Sequence, residues 1–227
     1  MKKVYGKGIN DAGYVVRKYQ STQVNGKQKQ RLIWFCPYYD KWKGILRRCL
    51  SEEYKSKHPT YQNCEVDSSW LLFSVFRSWC ENYENLYKVS IKDSDIDKDI
   101  LVKGNNIYSP ERCCLVHNSL NKFLTDNAAN RGDLPVGVSY RKEKGVIKGL
   151  RSRCKNPYTL KEVSCGCYPL GQEDAAHEAW RQRKHKYACE LADSECVTDE
   201  RVAKALRERY SFNNWYNEKE KQNENNA

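Results

Sequence analysis

The stretch "IDKDILVKGNNIYSPERCCLVHNSLN", residues 96–121, decides how this chain is interpreted. It begins inside an acidic run in which Asp93, Asp95, Asp97 and Asp99 occupy alternate positions. Alternate side chains of a strand point to one face, so a strand here would crowd four carboxylates together. Crowded like charges are destabilising unless a cation, lysine side chains or open water relieve them. The run therefore predicts either a cation site or a solvated polar turn.

Short strands and one helix are predicted around the acidic run. "LYKVSI" (residues 86–91) and "CCLVH" (residues 113–117) are rich in residues typical of strands. Gly104-Asn105-Asn106 marks a loop between them. "NSLNKFL" (residues 118–124) is predicted to form a short helix. The expected order is strand, strand, helix.

The region before the run predicts a hairpin and two helices. "YVVRKY" (residues 14–19) and "RLIWF" (residues 31–35) flank Asn25-Gly26, which indicates a hairpin with a long loop. Apolar residues then recur at helical spacing twice. The two stripes are Trp42, Ile45, Leu46, Cys49 and Leu50, and Leu72, Phe73, Phe76, Trp79, Cys80 and Tyr83.

The region after the run predicts a separate domain. "TDNAANRGDLP" (residues 125–135) is polar and turn-rich, as expected of a linker. Three short strands follow, with turns at Lys144-Gly145 and Asn156-Pro157, and then two helices, the last with Thr198 as its N-cap. The stripe of the first helix is Ala175, Ala176, Ala179, Trp180, Arg183, Tyr187, Ala188 and Leu191.

These elements predict an α+β fold in three parts. Residues 1–125 form an N-terminal α+β region whose strand–strand–helix unit covers about 87–125. Residues 135–210 form a three-stranded antiparallel sheet backed by a helix. Residues 211–227 have almost nothing to bury and are predicted to be disordered.

Charge and composition narrow the function classes. The 227 residues carry a net charge of +11, and residues 135–186 account for +7 of it. A basic excess favours polyanionic partners, above all nucleic acid, and a small sheet presenting arginines can read bases in the major groove of double-stranded DNA. The candidate DNA-binding residues are Arg141, Lys142, Lys148, Arg151, Arg153 and Lys155. No apolar run reaches the ~18 residues of a membrane span, and no signal peptide is recognisable, so we expect a cytoplasmic protein without a membrane partner.

The eleven cysteines are expected to be buried thiols. No Cys-x-x-Cys pair is present, so we expect no structural zinc. The alternative is a zinc site assembled in three dimensions from Cys36, Cys49, Cys64 and one of Cys113 or Cys114. A calcium loop is excluded for the acidic run, because Lys98 takes the position of the required Gly and Gly104 that of the required Glu.

The segment from Asp97 to Asn121 resembles a degenerate ββα-metal motif of HNH nucleases, a group that includes many phage homing endonucleases. Asp97 matches the metal-binding Asp, and Lys98 stands where the family has its general-base His. Pro110-Glu111 match the turn into the second strand. Asn121 matches the helix Asn, with Asn118 as the alternative. The middle Asn of the family is replaced by Cys113 or Cys114.

The wider chain also resembles small phage proteins of this type. The matching stretches are "NDAGYVV", "CPYYDKWKGILRRC" and "YSPERCC". "VGVSYRKEKG", "YPLG" and "EDAAHEAW" fit the outline of an AP2-type DNA-binding domain.

The resemblance implies metal-dependent cleavage of duplex DNA in a phage-infected bacterial cell, with no small-molecule cofactor. Mg²⁺ or Mn²⁺ would be held by Asp97, Asp99 and Asn121. Lys98 ordinarily carries its proton at neutral pH and so cannot act as the base, but it could contact the phosphate, which leaves His117 as the candidate base. The alternative is a catalytically inactive DNA-binding protein on the same scaffold. RNA binding has little support, because no RNP-like or KH-like motif is present.

Overall fold

The computed structural model describes residues 3–25, 27–125 and 133–212, and these form a mixed α+β structure. Within them lie six α-helices and four small sheets, which confirms the predicted fold class. By its internal contacts the chain divides into two compact units, Met1–His117 and Asn118–Ala227. The division falls before the helix at 118–124, which the sequence assigned to the first region. Most of the predicted linker and tail lies outside the described residues.

An antiparallel hairpin begins the first unit. Its strands are β1 (Arg17–Val24) and β2 (Lys27–Phe35), and Val24 pairs with Lys27 across the tip. Only Asn25 and Gly26 connect them, and Asn25 has the positive φ (52°) that tight hairpin turns need. The hairpin is therefore confirmed, but the long loop is wrong. Both strands are exposed, so their polar halves show no alternation of apolar residues that could have revealed them.

Two helices, α1 (Pro37–Leu50) and α3 (Phe73–Tyr87), build the core of the first unit, and the short helix α2 (Glu52–Lys57) between them has no buried residue. The rings of Trp42 on α1 and Phe73 on α3 lie 5.4 Å apart, and Trp42 Nε1 donates to the carbonyl of Trp70 at 2.6 Å. All three side chains are buried. The two predicted stripes are thus confirmed as core for most of their residues, whereas Leu72 is exposed and Leu50 and Trp79 are partly buried. Two short 3-10 helices, Pro59–Tyr61 and Ser68–Leu71, connect α2 to α3.

Two small sheets follow the helices. β3 (Glu65–Val66) pairs in parallel with β5 (Ile107–Tyr108), and β4 (Ser94–Asp97) pairs antiparallel with β6 (Cys114–His117). The strand predicted at 86–91 is wrong, because α3 continues to Tyr87 and ends at Lys88 in the left-handed conformation (φ 54°). The first strand of the predicted unit is β4, inside the acidic run.

The second unit contains a helix, a sheet and two further helices. α4 (Asn118–Leu124) precedes the antiparallel sheet β7 (Val138–Glu143), β8 (Val146–Lys155) and β9 (Glu162–Tyr168), in the order β7-β8-β9. α5 (Glu173–Ala192) packs on this sheet, with Val138, Leu150 and Ala176 buried between them, and α6 (Glu200–Arg209) follows. The predicted three-stranded antiparallel sheet backed by a helix is confirmed.

The buried face of α5 differs from the predicted stripe, since it includes two cations. Arg181 and Lys184 are buried, whereas Arg183 is only partly buried. Lys184 Nζ donates to the carbonyl of Phe123 and lies 3.8 Å from the centroid of its ring. Part of the basic excess therefore holds α4 against α5.

The N-cap of α6 is Asp199, whose side chain accepts a hydrogen bond from the amide of Arg201 at 2.9 Å. The prediction of Thr198 as the N-cap is therefore wrong by one residue. Among the described residues, no helix combines the length and apolar character needed to cross a membrane.

Candidate functional site

The carboxylates of the acidic run have separate partners. Asp95 and Asp97 share one face of β4, as alternation requires, whereas Asp93 and Asp99 lie outside the strand. Asp95 accepts from Lys41 Nζ at 2.7 Å, and Asp99 accepts from Lys98 Nζ at 3.1 Å. Lysine side chains thus reduce the charge repulsion at two of the four carboxylates of the run, Asp95 and Asp99.

Asp97, the last residue of β4, caps the turn that follows the strand. Its Oδ1 accepts from the amides of Asp99 and Ile100, both at 2.8 Å. Burial raises the pKa of Asp97 above its ordinary value and the neighbouring Asp99 carboxylate raises it further, while the two amide hydrogen bonds oppose both effects. This geometry is that of a carboxylate capping a turn, and it occupies one of the two oxygens that a metal would use.

Lys98 is held inside the loop that connects β4 to β5. Its side chain is only 12% exposed, and its ammonium donates to Asp99 Oδ2 and, at 2.8 Å, to the carbonyl of Asn105. An ammonium that donates two such bonds serves as a fixed cation within the loop. The position that holds the general base in the resembled family is here a structural one.

Asn105 is the residue that sequence reasoning missed. It is buried, and its Nδ2 donates to the carbonyls of Lys98 (2.6 Å) and Ile107 (2.8 Å). Its Oδ1 accepts from the Ile107 amide at 3.2 Å and from Arg112 at 3.1 Å. The side chain of Asn105 therefore binds both ends of the loop. In the sequence it stands in a Gly-Asn-Asn loop signal that gives no hint of burial.

These residues fit a divalent cation poorly. One carboxylate oxygen of Asp97 already accepts two backbone amide hydrogen bonds, and the ammonium of Lys98 already pairs with Asp99. The third predicted ligand, Asn121, lies on α4. Among the described residues there is no group of three or more His, Cys, Asp or Glu side chains able to hold a metal.

His117 is not brought to Asp97. Within the β4–β6 pair, Asp97 lies opposite Cys114, whereas His117 lies opposite Ser94 at the other end. Three residues of strand separate the two positions by about 10 Å, and the alternation of side chains puts them on opposite faces. In this register His117 cannot take a proton from a water beside Asp97.

The cysteines proposed as an alternative zinc site have different surroundings. Cys49 and Cys64 are buried and hydrogen-bonded to each other. The hydrogen bond from Cys49 lowers the pKa of the Cys64 thiol to about 7, with burial opposing and Lys98 assisting. Burial raises the pKa of Cys113 to about 12, and Cys36 contacts the hydroxyl of Tyr14 at 3.2 Å.

The sheet of the second unit separates its side chains into an apolar and a basic face. Leu150, Ser152 and Cys154 of β8 are buried beneath α5, so the alternate residues Arg151 and Arg153 point away from the helix. The cross-strand neighbours of these arginines supply the rest of the outer face. Ser139 and Cys167 flank Arg151, Ser164 pairs with Arg153, and Arg141 pairs with Gly149.

The outer arginines differ in their partners. Arg141 pairs with Glu143 at 2.8 Å, and Arg153 forms an ion pair with Glu162. Arg151, at the centre, makes no ion pair with any carboxylate in the described part of the chain. Arg151 is therefore the guanidinium best placed to bind an external group.

The three predicted lysines are placed less uniformly. Lys155 shares the β8 face with Arg153 and lies opposite Glu162. Lys148 is the extra residue of a β-bulge between β7 and β8, and Lys142 points to the other side of β7 from Arg141. The structure thus brings Arg141, Arg151, Arg153 and Lys155 to one face, but not Lys142.

No protein-family model, no curated protein and no solved structure matches this chain.

Proposed function

We propose that this chain is a duplex DNA-binding protein that reads base edges with the outer face of the β7–β9 sheet. The observation that carries this proposal is the shared face of Arg141, Arg151 and Arg153, opposite the face that packs on α5. A rigid sheet fixed by a helix holds these guanidinium groups in a defined spacing. That property is what recognition of a regular duplex requires.

The chemistry of this face suits the major groove. Arginine donates two parallel hydrogen bonds to O6 and N7 of guanine, and serine can pair with any base. Ser139 and Ser164 stand beside the arginines on the outer strands. The net charge of +7 in residues 135–186 supplies the attraction to phosphates. No small-molecule cofactor takes part, and the partner expected from the resemblance is DNA in the cytoplasm of a phage-infected bacterium.

The test is the DNA affinity of the full-length chain with Arg151→Gln. A preferred duplex is first selected from a random-sequence pool, and binding is then followed by fluorescence anisotropy. We expect Arg151→Gln to lose about 1–3 kcal/mol on that duplex and much less on random duplex. Lys204→Gln, on exposed α6 surface, removes the same charge and is the matched control. Equal losses on selected and random DNA would show that Arg151 does not read bases, and a loss no larger than the control would remove the sheet as the interface.

A second candidate function is cleavage of the bound DNA. It is favoured by the antiparallel pairing of β4 with β6, by Asp97 at the end of β4, and by the helix that starts directly after β6. This order is that of the family motif which the sequence resembles. The cleavage that the resemblance implies needs Mg²⁺ or Mn²⁺, which the residues around Asp97 fit poorly.

Nicking of supercoiled plasmid with each ion tests this second candidate. Asp97→Asn is the matched variant, because an amide oxygen can still accept the two backbone hydrogen bonds. Nicking that disappears in Asp97→Asn while DNA affinity stays the same would support cleavage at this residue. Nicking that persists in the variant would show that Asp97 does not carry it, and no nicking with either ion would leave DNA binding as the function.

A further inference from the structure

The β1–β2 hairpin is a ribbon exposed on both faces, polar over most of its length and apolar at residues 32–35. Every described residue of its two strands is exposed except Arg17, which is partly buried and pairs with Asp40 at 2.7 Å. A lone two-stranded ribbon has little intrinsic stability. Its length and composition therefore call for another explanation.

The basic residues of the ribbon gather on one face. Gln20 pairs with Arg31, Thr22 with Lys29, and Val24 with Lys27. Cross-strand partners point to the same side, and Lys18 lies on that side as well, two residues before Gln20. The cationic face thus consists of Lys18, Lys27, Lys29 and Arg31. The opposite face carries Tyr19, Ser21, Gln23, Gln28, Gln30 and Leu32.

Nothing in the ribbon neutralises this face. Residues 17–35 contain five Lys or Arg and no Asp or Glu. None of the four cations on the face makes an ion pair with a described carboxylate. Lys18 instead lies 5.5 Å from the centroid of the Trp34 ring, which orients its ammonium at the base of the ribbon. Uncompensated cations kept in a row indicate an anionic partner.

We propose that the β1–β2 hairpin is a second DNA-contacting element, which inserts its cationic face into the major groove of duplex DNA. This inference rests on the proposed DNA-binding function and assigns it a further surface on the first unit. The major groove is about 12 Å wide and admits a two-stranded ribbon. Lys27, Lys29 and Arg31 repeat every ~6.8 Å along β2, so each cation of the row can meet a different phosphate at the edge of the groove. The face also carries Gln20 and Arg31 as a cross-strand pair, the side-chain types that pair with adenine and guanine.

The experiment measures the salt dependence of DNA binding by the full-length chain. The variant is Lys27→Gln/Lys29→Gln/Arg31→Gln, and the probe is a labelled random-sequence DNA duplex. Each phosphate contact contributes about 0.9 to the slope of log K against log salt, so the slope should fall by about 2–3. The replaced side chains are exposed, so the urea unfolding midpoint should not change.

A charge-matched control separates this surface from net charge. Lys57→Gln/Lys186→Gln/Lys204→Gln removes three exposed cations from helices α2, α5 and α6. If this control lowers the slope as much as the hairpin variant, the hairpin has no special role and the inference fails. Duplex RNA of the same sequence is the second comparison, because the deep, narrow A-form groove excludes a ribbon. An equal loss of slope on RNA would overturn insertion into the groove.

Failure of the hairpin and failure of the sheet are distinguishable. If Arg141→Gln/Arg151→Gln/Arg153→Gln leaves binding unchanged while the hairpin variant weakens it, the sheet proposal is wrong and the hairpin inference stands. The reverse result removes the hairpin alone. A wild-type chain that does not bind duplex DNA at any salt concentration removes both.

Discussion

The loop that connects β4 to β5 and the outer face of the β7–β9 sheet are both rich in charge, but they differ in how completely their charged side chains are paired. In the loop, Asp97, Lys98 and Asp99 have partners within a few residues, and the side chain of Lys98 is only 12% exposed. On the sheet, Arg141 and Arg153 pair with Glu143 and Glu162, but Arg151 between them has no described carboxylate partner. A charged side chain whose partners lie within its own loop stabilises that loop, whereas one without partners is available to a ligand. The sequence shows equally dense charge in both places, and the difference lies in the pairing.

The largest effect on stability is expected at Asn105, which holds the loop between β4 and β5 closed. Asn105→Ala leaves the carbonyls of Lys98 and Ile107 without their donor and removes the acceptor of Arg112. Unpaired buried polar groups are costly, so we expect the free energy of unfolding to fall by about 3 kcal/mol. Urea unfolding measures the change. Asn106→Ala is the matched control, since Asn106 is exposed and only its backbone carbonyl is bound, by the Glu65 amide at 3.0 Å.

An Asn105→Ala protein as stable as the Asn106→Ala protein would contradict the view that this loop is a closed structural unit. The loop charges would then be free to serve a ligand, as the sequence first suggested.

The sequence predicts elements that repeat a regular pattern, but it does not predict the roles of polar side chains that depend on their hydrogen-bond partners. The stripes containing Trp42 and Phe73 follow from helical periodicity, and the three strands of the second unit follow from the turn signals between them. Both predictions are confirmed. The roles of Lys98 and Asn105 depend on hydrogen bonds between residues seven positions apart in a loop without regular period. Only the folded structure shows that Asp95 and Asp99 already have lysine partners.

The polar parts of the hairpin strands could not be predicted from the sequence either. A strand is recognised by apolar residues on alternate positions, and that alternation exists only where one face is buried. "QSTQV" and "KQKQ" bury nothing, so the sequence suggested a loop. Their pairing, and the gathering of four cations on one face, appear only in the register of the strands.

A second, smaller effect is expected at Asp97. Asp97→Ala removes the acceptor of two backbone amides and should cost about 1–2 kcal/mol, the usual range for a lost capping side chain. Asp97→Asn keeps an acceptor oxygen and removes the charge. Because burial and Asp99 raise the pKa of Asp97, the folded state binds a proton that the unfolded state has lost just above the ordinary aspartate pKa.

The sign of the pH dependence follows from this difference in proton binding. The contribution of Asp97 to the free energy of unfolding is fully present below the ordinary pKa of aspartate. It is lost as the pH rises through the raised pKa of the folded state. Asp97→Asn lacks this loss. The unfolding free energy of the Asn variant relative to wild type should therefore increase between about pH 4 and neutral pH. A constant difference across that range would mean that the charge on Asp97 is not destabilised in the folded loop.

The smallest effect is expected at Glu162, which on the proposed function would compete with DNA for Arg153. The carboxylate pairs with that guanidinium and lies opposite Lys155, so it neutralises one end of the basic face. Glu162→Gln should leave stability within about 0.5 kcal/mol, since exposed ion pairs contribute little. It should raise DNA affinity a few-fold and steepen the salt dependence, because one more cation becomes free to meet a phosphate. Glu195→Gln, an exposed position with the same charge change, is the control for net charge. If both variants raise affinity equally, the outer face of the sheet is not the surface that DNA contacts, and the contrast between the enclosed loop and the open sheet would carry no functional meaning.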